Sequence, residues 1–228
     1  MATHLDLEEQ EQLDQLKAFW KQYGNLITWV LIIALAGYVG WTLWNNHQHE
    51  QSVKAGALYE ELDRAAQAGD VEKAARVFDD MKERFPSTGY AQQAALLTAK
   101  LQFDKKQNDA ARATLTWASE HATEDEYRTV ARLRLAGLLL DEKKFDEALK
   151  QLDGATSKEF AALVADRRGD VLLAQGKKDE AKAAFEQAWK AMDESLEYRR
   201  MVESKLMVLG AAPGAEAPKA AASAGAGK

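Results

Sequence analysis

One stretch leaves this chain little choice of fold. Residues 26–44 read Leu-Ile-Thr-Trp-Val-Leu-Ile-Ile-Ala-Leu-Ala-Gly-Tyr-Val-Gly-Trp-Thr-Leu-Trp, and no Asp, Glu, Lys or Arg falls between Lys21 and Glu50. As a helix these residues reach roughly 28 Å at about 1.5 Å each, close to the hydrocarbon thickness of a bilayer. A helix suits that medium because it satisfies its own backbone hydrogen bonds where no water can. Trp29 lies near one end, with Tyr38, Trp41 and Trp44 towards the other. Amphipathic rings of this kind collect at headgroup level. No other part of the chain is apolar enough to surround a helix that is apolar on every face, which argues against a buried core helix. Ala34-Leu35-Ala36 resembles a signal-peptide cleavage site, but the segment before it is long and acid-rich and the apolar run continues past it. The expectation is an uncleaved membrane anchor over residues 25–45.

Residues 1–24 form a short arm. Leu13, Leu16 and Trp20 fall at helical spacing, which predicts an amphipathic lead-in to the span, with Lys17 and Lys21 meeting lipid phosphates. Orientation is nearly balanced on charge. Lys17 and Lys21 precede the span, Lys54 and Arg64 follow it, and only the closer position of Lys21 favours a cytoplasmic N-terminus. The anchor role is assigned to Trp20, Lys21, Trp29, Trp41 and Trp44.

Beyond the span about 165 residues remain before a low-complexity end, enough for one domain with its own core. From residue 52 onward the apolar period, caps and glycine stops predict nine helices, with Gly69, Gly176 and Gly210 closing three of them and Pro86 another. Asp70 is expected to cap the second helix, Thr123 with Glu126 to form a capping box, and Ser157 and Ser195 to open later helices. A pattern of Ala, a large apolar residue four on, and a small or apolar one three further recurs along alternate helices. Its members are Ala74-Phe78-Met81, Ala111-Leu115-Ala118, Ala148-Leu152-Ala155 and Ala181-Phe185-Ala188, at intervals of 37, 37 and 33 residues. The small residue lets paired helices approach, and the large one fills the groove towards the next pair.

This is the tetratricopeptide pattern, matched best in the last pair, where Gly169 and Leu172 precede Ala181 and Gly176 ends the first helix. The expected fold is therefore all-α: one N-terminal transmembrane helix, then a tetratricopeptide-like α-solenoid of about four helix pairs over residues 46–210, with a capping helix last. Repeat packing is assigned to Ala74, Phe78, Ala111, Leu115, Ala148, Leu152, Ala181 and Phe185. Residues 211–228, mostly Ala, Gly, Pro and Ser, are expected to be disordered.

No catalytic constellation is evident. The chain has no cysteine, which excludes disulfides and thiolate chemistry, and no Gly-rich phosphate loop, HExxH or Gly-x-Ser-x-Gly elbow. His47 and His49, two apart, point to different sides of a helix, and no further metal ligands accompany them. His121 lies at a predicted helix end, where a cation suits the dipole. The net charge of −6 gives no reason to expect nucleic-acid binding. The expectation is a non-enzymatic, cofactor-free interaction module whose concave groove holds peptides or partner helices, with tethering raising the effective concentration of membrane partners.

The block Gln12-Leu13-x-x-Leu16-Lys17-x-Phe19-Trp20-Lys21-x-Tyr23-Gly24, followed by a span ending Gly40-Trp41-x-x-Trp44 and a tetratricopeptide-like domain, resembles the YfgM-like family. Its members are ancillary subunits of the SecYEG translocon in Gram-negative bacteria. The resemblance implies a cytoplasmic N-terminus, one inner-membrane span and a periplasmic repeat domain. It also implies association with Sec translocon subunits and with a membrane-anchored periplasmic chaperone of the prolyl-isomerase type. The implied task is passing newly translocated, unfolded proteins to periplasmic chaperones. The alternative is an anchored scaffold or negative regulator of an envelope-stress or cell-division pathway, without contact to translocating chains.

Overall fold

The computed structural model describes residues 7–193, 195 and 197–211, with side chains from Gln12 onward. Among these residues there are nine α-helices and no strands. The expected disorder of the C-terminal end falls on residues outside this set, apart from Ala211. The chain divides into two compact units, the first ending at Gln51 and the second beginning at Ser52.

Helix α1 runs Leu7–Gln67 over 61 residues and contributes to both units. The apolar pattern predicts a first repeat helix beginning at Ser52, separate from the span. The structure joins them, because Asn45 to Gln51 contains no Gly or Pro to end a helix. In the first unit the apolar run is solvent-exposed on every side; Trp41, for example, is 65% exposed.

The second unit continues with α2 (Val71–Arg84), α3 (Gly89–Asp104), α4 (Asn108–His121), α5 (Asp125–Asp141), α6 (Phe145–Asp153), α7 (Ala161–Ala174), α8 (Lys178–Ala191) and α9 (Glu197–Val208). Within each pair the turn is the same object. Gly69, Lys106, Lys143 and Gly176 take φ of 71, 62, 61 and 81°. Their N–H groups donate to the carbonyls three residues back, of Ala66, Phe103, Leu140 and Leu173, at 2.8–3.0 Å. The next N–H groups, of Asp70, Gln107, Lys144 and Lys177, reach five residues back to Ala65, Gln102, Leu139 and Leu172, also at 2.8–3.0 Å. These two bonds satisfy the orphan carbonyls of the ending helix. Each second residue then starts the following helix, its carbonyl accepting from Ala74, Ala111, Ala148 or Ala181. The four alanines therefore sit at a fixed distance after a left-handed residue, which is why they recur at the repeat interval.

All eight residues assigned to repeat packing are buried, in two apolar clusters. The larger runs from Ala55 to Val171 and the smaller from Ala165 to Ala211. The large residues do not all play one part. Phe78 stands edge-on to Trp117 of the next pair, with centroids 5.3 Å apart. Phe185 instead lies against Gly169 of its own pair, where an added Cβ would fall 2.5–2.8 Å from the ring. Neighbouring pairs are also tied by buried polar groups. The Gln92 amide donates to Thr123 Oγ1 at 2.7 Å and accepts from the Glu124 N–H at 3.2 Å. Thr129, 37 residues after Gln92, accepts from the Ser157 N–H at 3.1 Å.

Some local expectations are corrected. Asp70 does cap α2, accepting from the Lys73 N–H at 2.9 Å. The Thr123–Glu126 capping box does not form: α5 starts after Glu124, without a side-chain cap, and the Thr123 hydroxyl is taken by Gln92. Ser157 precedes a 3-10 turn over Lys158–Phe160, and α7 begins only at Ala161, because its hydroxyl donates to Glu159 and its N–H is held by Thr129. Ala155 lies beyond the end of α6 and so is not a helical packing residue. Ser195 directs both N–H and hydroxyl to the Asp193 carboxylate, at 2.8 and 2.6 Å.

Two predictions come from the turns and the close approach. Lys106→Gly and Lys143→Gly should each stabilise the protein by about 1 kcal/mol in denaturant titrations of the detergent-solubilised chain, because a β-carbon is penalised in the left-handed region. Gly169→Ala should cost about 1–3 kcal/mol in the same assay, since the Phe185 ring must leave its position.

Candidate partner-binding groove

The first unit offers a surface that only an apolar medium accommodates. Trp20, Lys21, Trp29, Trp41 and Trp44 are all exposed on α1, as are Leu26, Val30, Leu31, Ile33 and Leu35 between them. Burying each large apolar side chain is worth about 1.5–3 kcal/mol, and no described residue of this unit covers them. Thr28 and Thr42 turn their hydroxyls back to the carbonyls of Gly24 and Tyr38, at 2.8 and 2.9 Å, so the polar groups of the run are satisfied internally. Among the described residues α1 is the single helix long and apolar enough to cross a membrane.

In the second unit, α3, α5 and α7 share a face with a cleft of about 450 Å³. Ala99, Leu115 and Leu138 line it on the apolar side, and Phe103, Arg134 and Arg167 bring the larger side chains. Towards the start of the same helices lies a row of rings at the repeat interval: Tyr90, then Tyr127 after 37 residues, then Phe160 after 33. Tyr59 packs on Tyr90 with centroids 5.7 Å apart, over Gly56, where a Cβ would come within 3.2 Å of the Tyr90 ring. Burial, then the nearby charge of Asp63, pushes the Tyr59 phenol above its usual range. Neither the rings nor the arginines stand out by residue type; their signal in the sequence is recurrence at the alanine intervals along the first helices.

The end of the array is closed by a buried ionic cluster. Asp166 on α7 is 2% exposed. It accepts from Lys205 at 2.8 and 3.0 Å and from the Tyr198 hydroxyl at 2.7 Å, both on α9. Lys205 also reaches Asp170 at 2.7 Å and stands 5.1 Å from the centre of the Phe185 ring. Burial is the main cause pushing the Asp170 carboxyl up, and burial followed by the Asp166 hydrogen bond pushes the Tyr198 phenol well above its ordinary value. Among the described residues no group of three or more His, Cys, Asp or Glu is placed to hold a metal ion.

A family model described as a tetratricopeptide repeat-like domain matches residues 17–211. An ancillary SecYEG translocon subunit of Neisseria gonorrhoeae is 32% identical over 207 residues, 90% of this chain and 98% of the relative. The chain belongs to the YfgM-like family. Relatives of the same description from Haemophilus influenzae and Escherichia coli are 32% and 29% identical, covering 80% and 78% of this chain and 89% and 85% of their own lengths. This YfgM-like chain is thus a membrane-anchored protein with a tetratricopeptide-like interaction unit, and the family match takes in α9 with its ionic cluster.

Removing one partner of a buried ion pair leaves the other charge uncompensated. Asp166→Ala should therefore lower stability by about 3–5 kcal/mol, read by thermal or urea unfolding. Tyr198 gives an alkaline signature. Its phenol is held protonated in the fold, so its contribution is complete below the unfolded value of about 10 and is lost as pH rises through and above that value. Unfolding followed across this range should show stability falling, with a shallower fall in Tyr198→Phe.

Proposed function

We propose that this chain is an inner-membrane-anchored, non-enzymatic interaction module that associates with the Sec translocon and helps pass newly translocated proteins to periplasmic chaperones. The observation that carries the reading is the near-complete match to relatives named as ancillary SecYEG translocon subunits, 98% of the Neisseria protein being covered. The architecture supports it. A bare apolar helix places the chain in the bilayer, and a tetratricopeptide-like unit supplies a groove for peptide-like partners. Tethering both at one membrane makes weak contacts sufficient, because the effective concentration is high.

In this reading the arm before the span is cytoplasmic and the repeat unit periplasmic, where it meets a membrane-anchored chaperone of the prolyl-isomerase type and unfolded clients. The test is in-cell crosslinking of the full-length protein followed by identification of captured chains. Recovery of Sec channel subunits together with a periplasmic chaperone is the expected result. Recovery only of a stress-response regulator or a division protein overturns it in favour of an anchored scaffold.

A further inference from the structure

The cleft between α3, α5 and α7 contains a cation that the fold does not neutralise. Arg134 extends from α5 to α3 and donates one N–H to the Leu96 carbonyl at 2.8 Å. No carboxylate pairs with it among the described residues, and its remaining donors have no protein partner there. Burial alone pulls its guanidinium below the usual value, with no opposing acid. The side chain is exposed at the cleft, so its remaining donors face solvent and are open to an incoming anion.

Arg167 reinforces this. It occupies the same register 33 residues later, on α7, and lines the same cleft. Among the described residues its one carboxylate contact is Asp170 at 3.9 Å, and Asp170 is already held by Lys205 at 2.7 Å. Gly137, one turn after Arg134, faces the Arg167 guanidinium, whose carbon lies 3.8 Å from the position of a Cβ there. The other charges on the lining are Lys100 and Asp104, closed against each other at 2.6 Å, and Asp141, two turns along α5 from Arg134. Beside the arginines the wall is apolar, with Ala99, Leu115, Leu133 and Leu138, and Phe103 is 47% exposed at its edge.

We propose that this cleft binds an extended acidic–apolar peptide segment, its side-chain carboxylate on Arg134 and Arg167 and the neighbouring apolar side chain against Phe103 and Leu138. This rests on the interaction-module reading above and adds the chemistry of the partner.

The test uses the full chain in detergent micelles and a fluorescein-labelled peptide of alternating leucine and aspartate with both termini blocked. Its counterpart carries asparagine for aspartate. Fluorescence anisotropy should show binding of the acidic peptide that weakens with added salt, and weaker binding of the amide peptide. Arg134→Gln should reduce affinity roughly ten- to a hundred-fold, the loss expected for charged hydrogen bonds. Arg167→Gln should give a smaller loss, and Arg134→Lys should recover only part. Unfolding curves matching the parent show that these variants remain folded, and Arg167→Gln serves as the readout if Arg134→Gln does not. Equal binding of both peptides, no binding of the acidic one, or unchanged affinity in folded variants overturns the proposal. The two readings fail separately. Sec subunits captured in cells without acidic-peptide binding leave the function standing and remove the cleft assignment; the reverse result does the opposite.

Discussion

The architecture of the second unit depends on one backbone device, a left-handed residue whose N–H and the next N–H together close the preceding helix. Because the residue after it also begins the following helix, the turn has no slack. The two helices of a pair are set against each other within two residues, and the alanine five positions beyond the left-handed residue is held at the pair interface. The repeat is thus a property of the turn first and of side chains second. This is why two of the four turns function with lysine where the others use glycine. Lys106 and Lys143 carry a penalty of about 1–2 kcal/mol each, and the two hydrogen bonds with the packing behind them hold the conformation nonetheless.

Much of this was legible in the residues. The apolar run, the Ala-based intervals, the glycine stops and the Asp70 cap each express a local preference that the fold also satisfies, and α4 does end at His121. What was not legible falls into two kinds. Lysine has no left-handed preference, so the positive φ at Lys106 and Lys143 is silent in the sequence. Side chains with a choice of partner were misread for a different reason. Thr123 looked like half of a capping box, but Gln92, 31 residues away in the chain, reaches it first. Ser157 looked like a helix start, but its N–H belongs to Thr129. In both cases a contact between repeats displaced a local one.

The groove shows the same limit at the level of function. Arg134 and Arg167 are ordinary arginines in the sequence; what marks them is shared register, shared cleft and the lack of a strong carboxylate partner. The contrast with Lys205 is instructive. That cation is surrounded by Asp166, Asp170 and the Tyr198 hydroxyl, so its charge is spent on holding α9 in place. One unit therefore contains a cation committed to structure and another left available to a partner, and only the three-dimensional inventory of neighbours tells them apart.

The division of the core into two clusters bears on how the chain comes to be folded at all. Each cluster is assembled from helices adjacent in sequence, and the larger is complete by Val171, within α7 and before α8 and α9 begin. A protein built this way does not wait for its C-terminus. As the chain is delivered N-terminus first, each hairpin finds its packing partner in the hairpin just before it, so contacts of low sequence separation form in order of appearance. The last cluster then settles against a surface already in place. For a chain whose first segment is held by a bilayer, acquiring structure in the direction of synthesis keeps the length of unpaired apolar helix short at every stage.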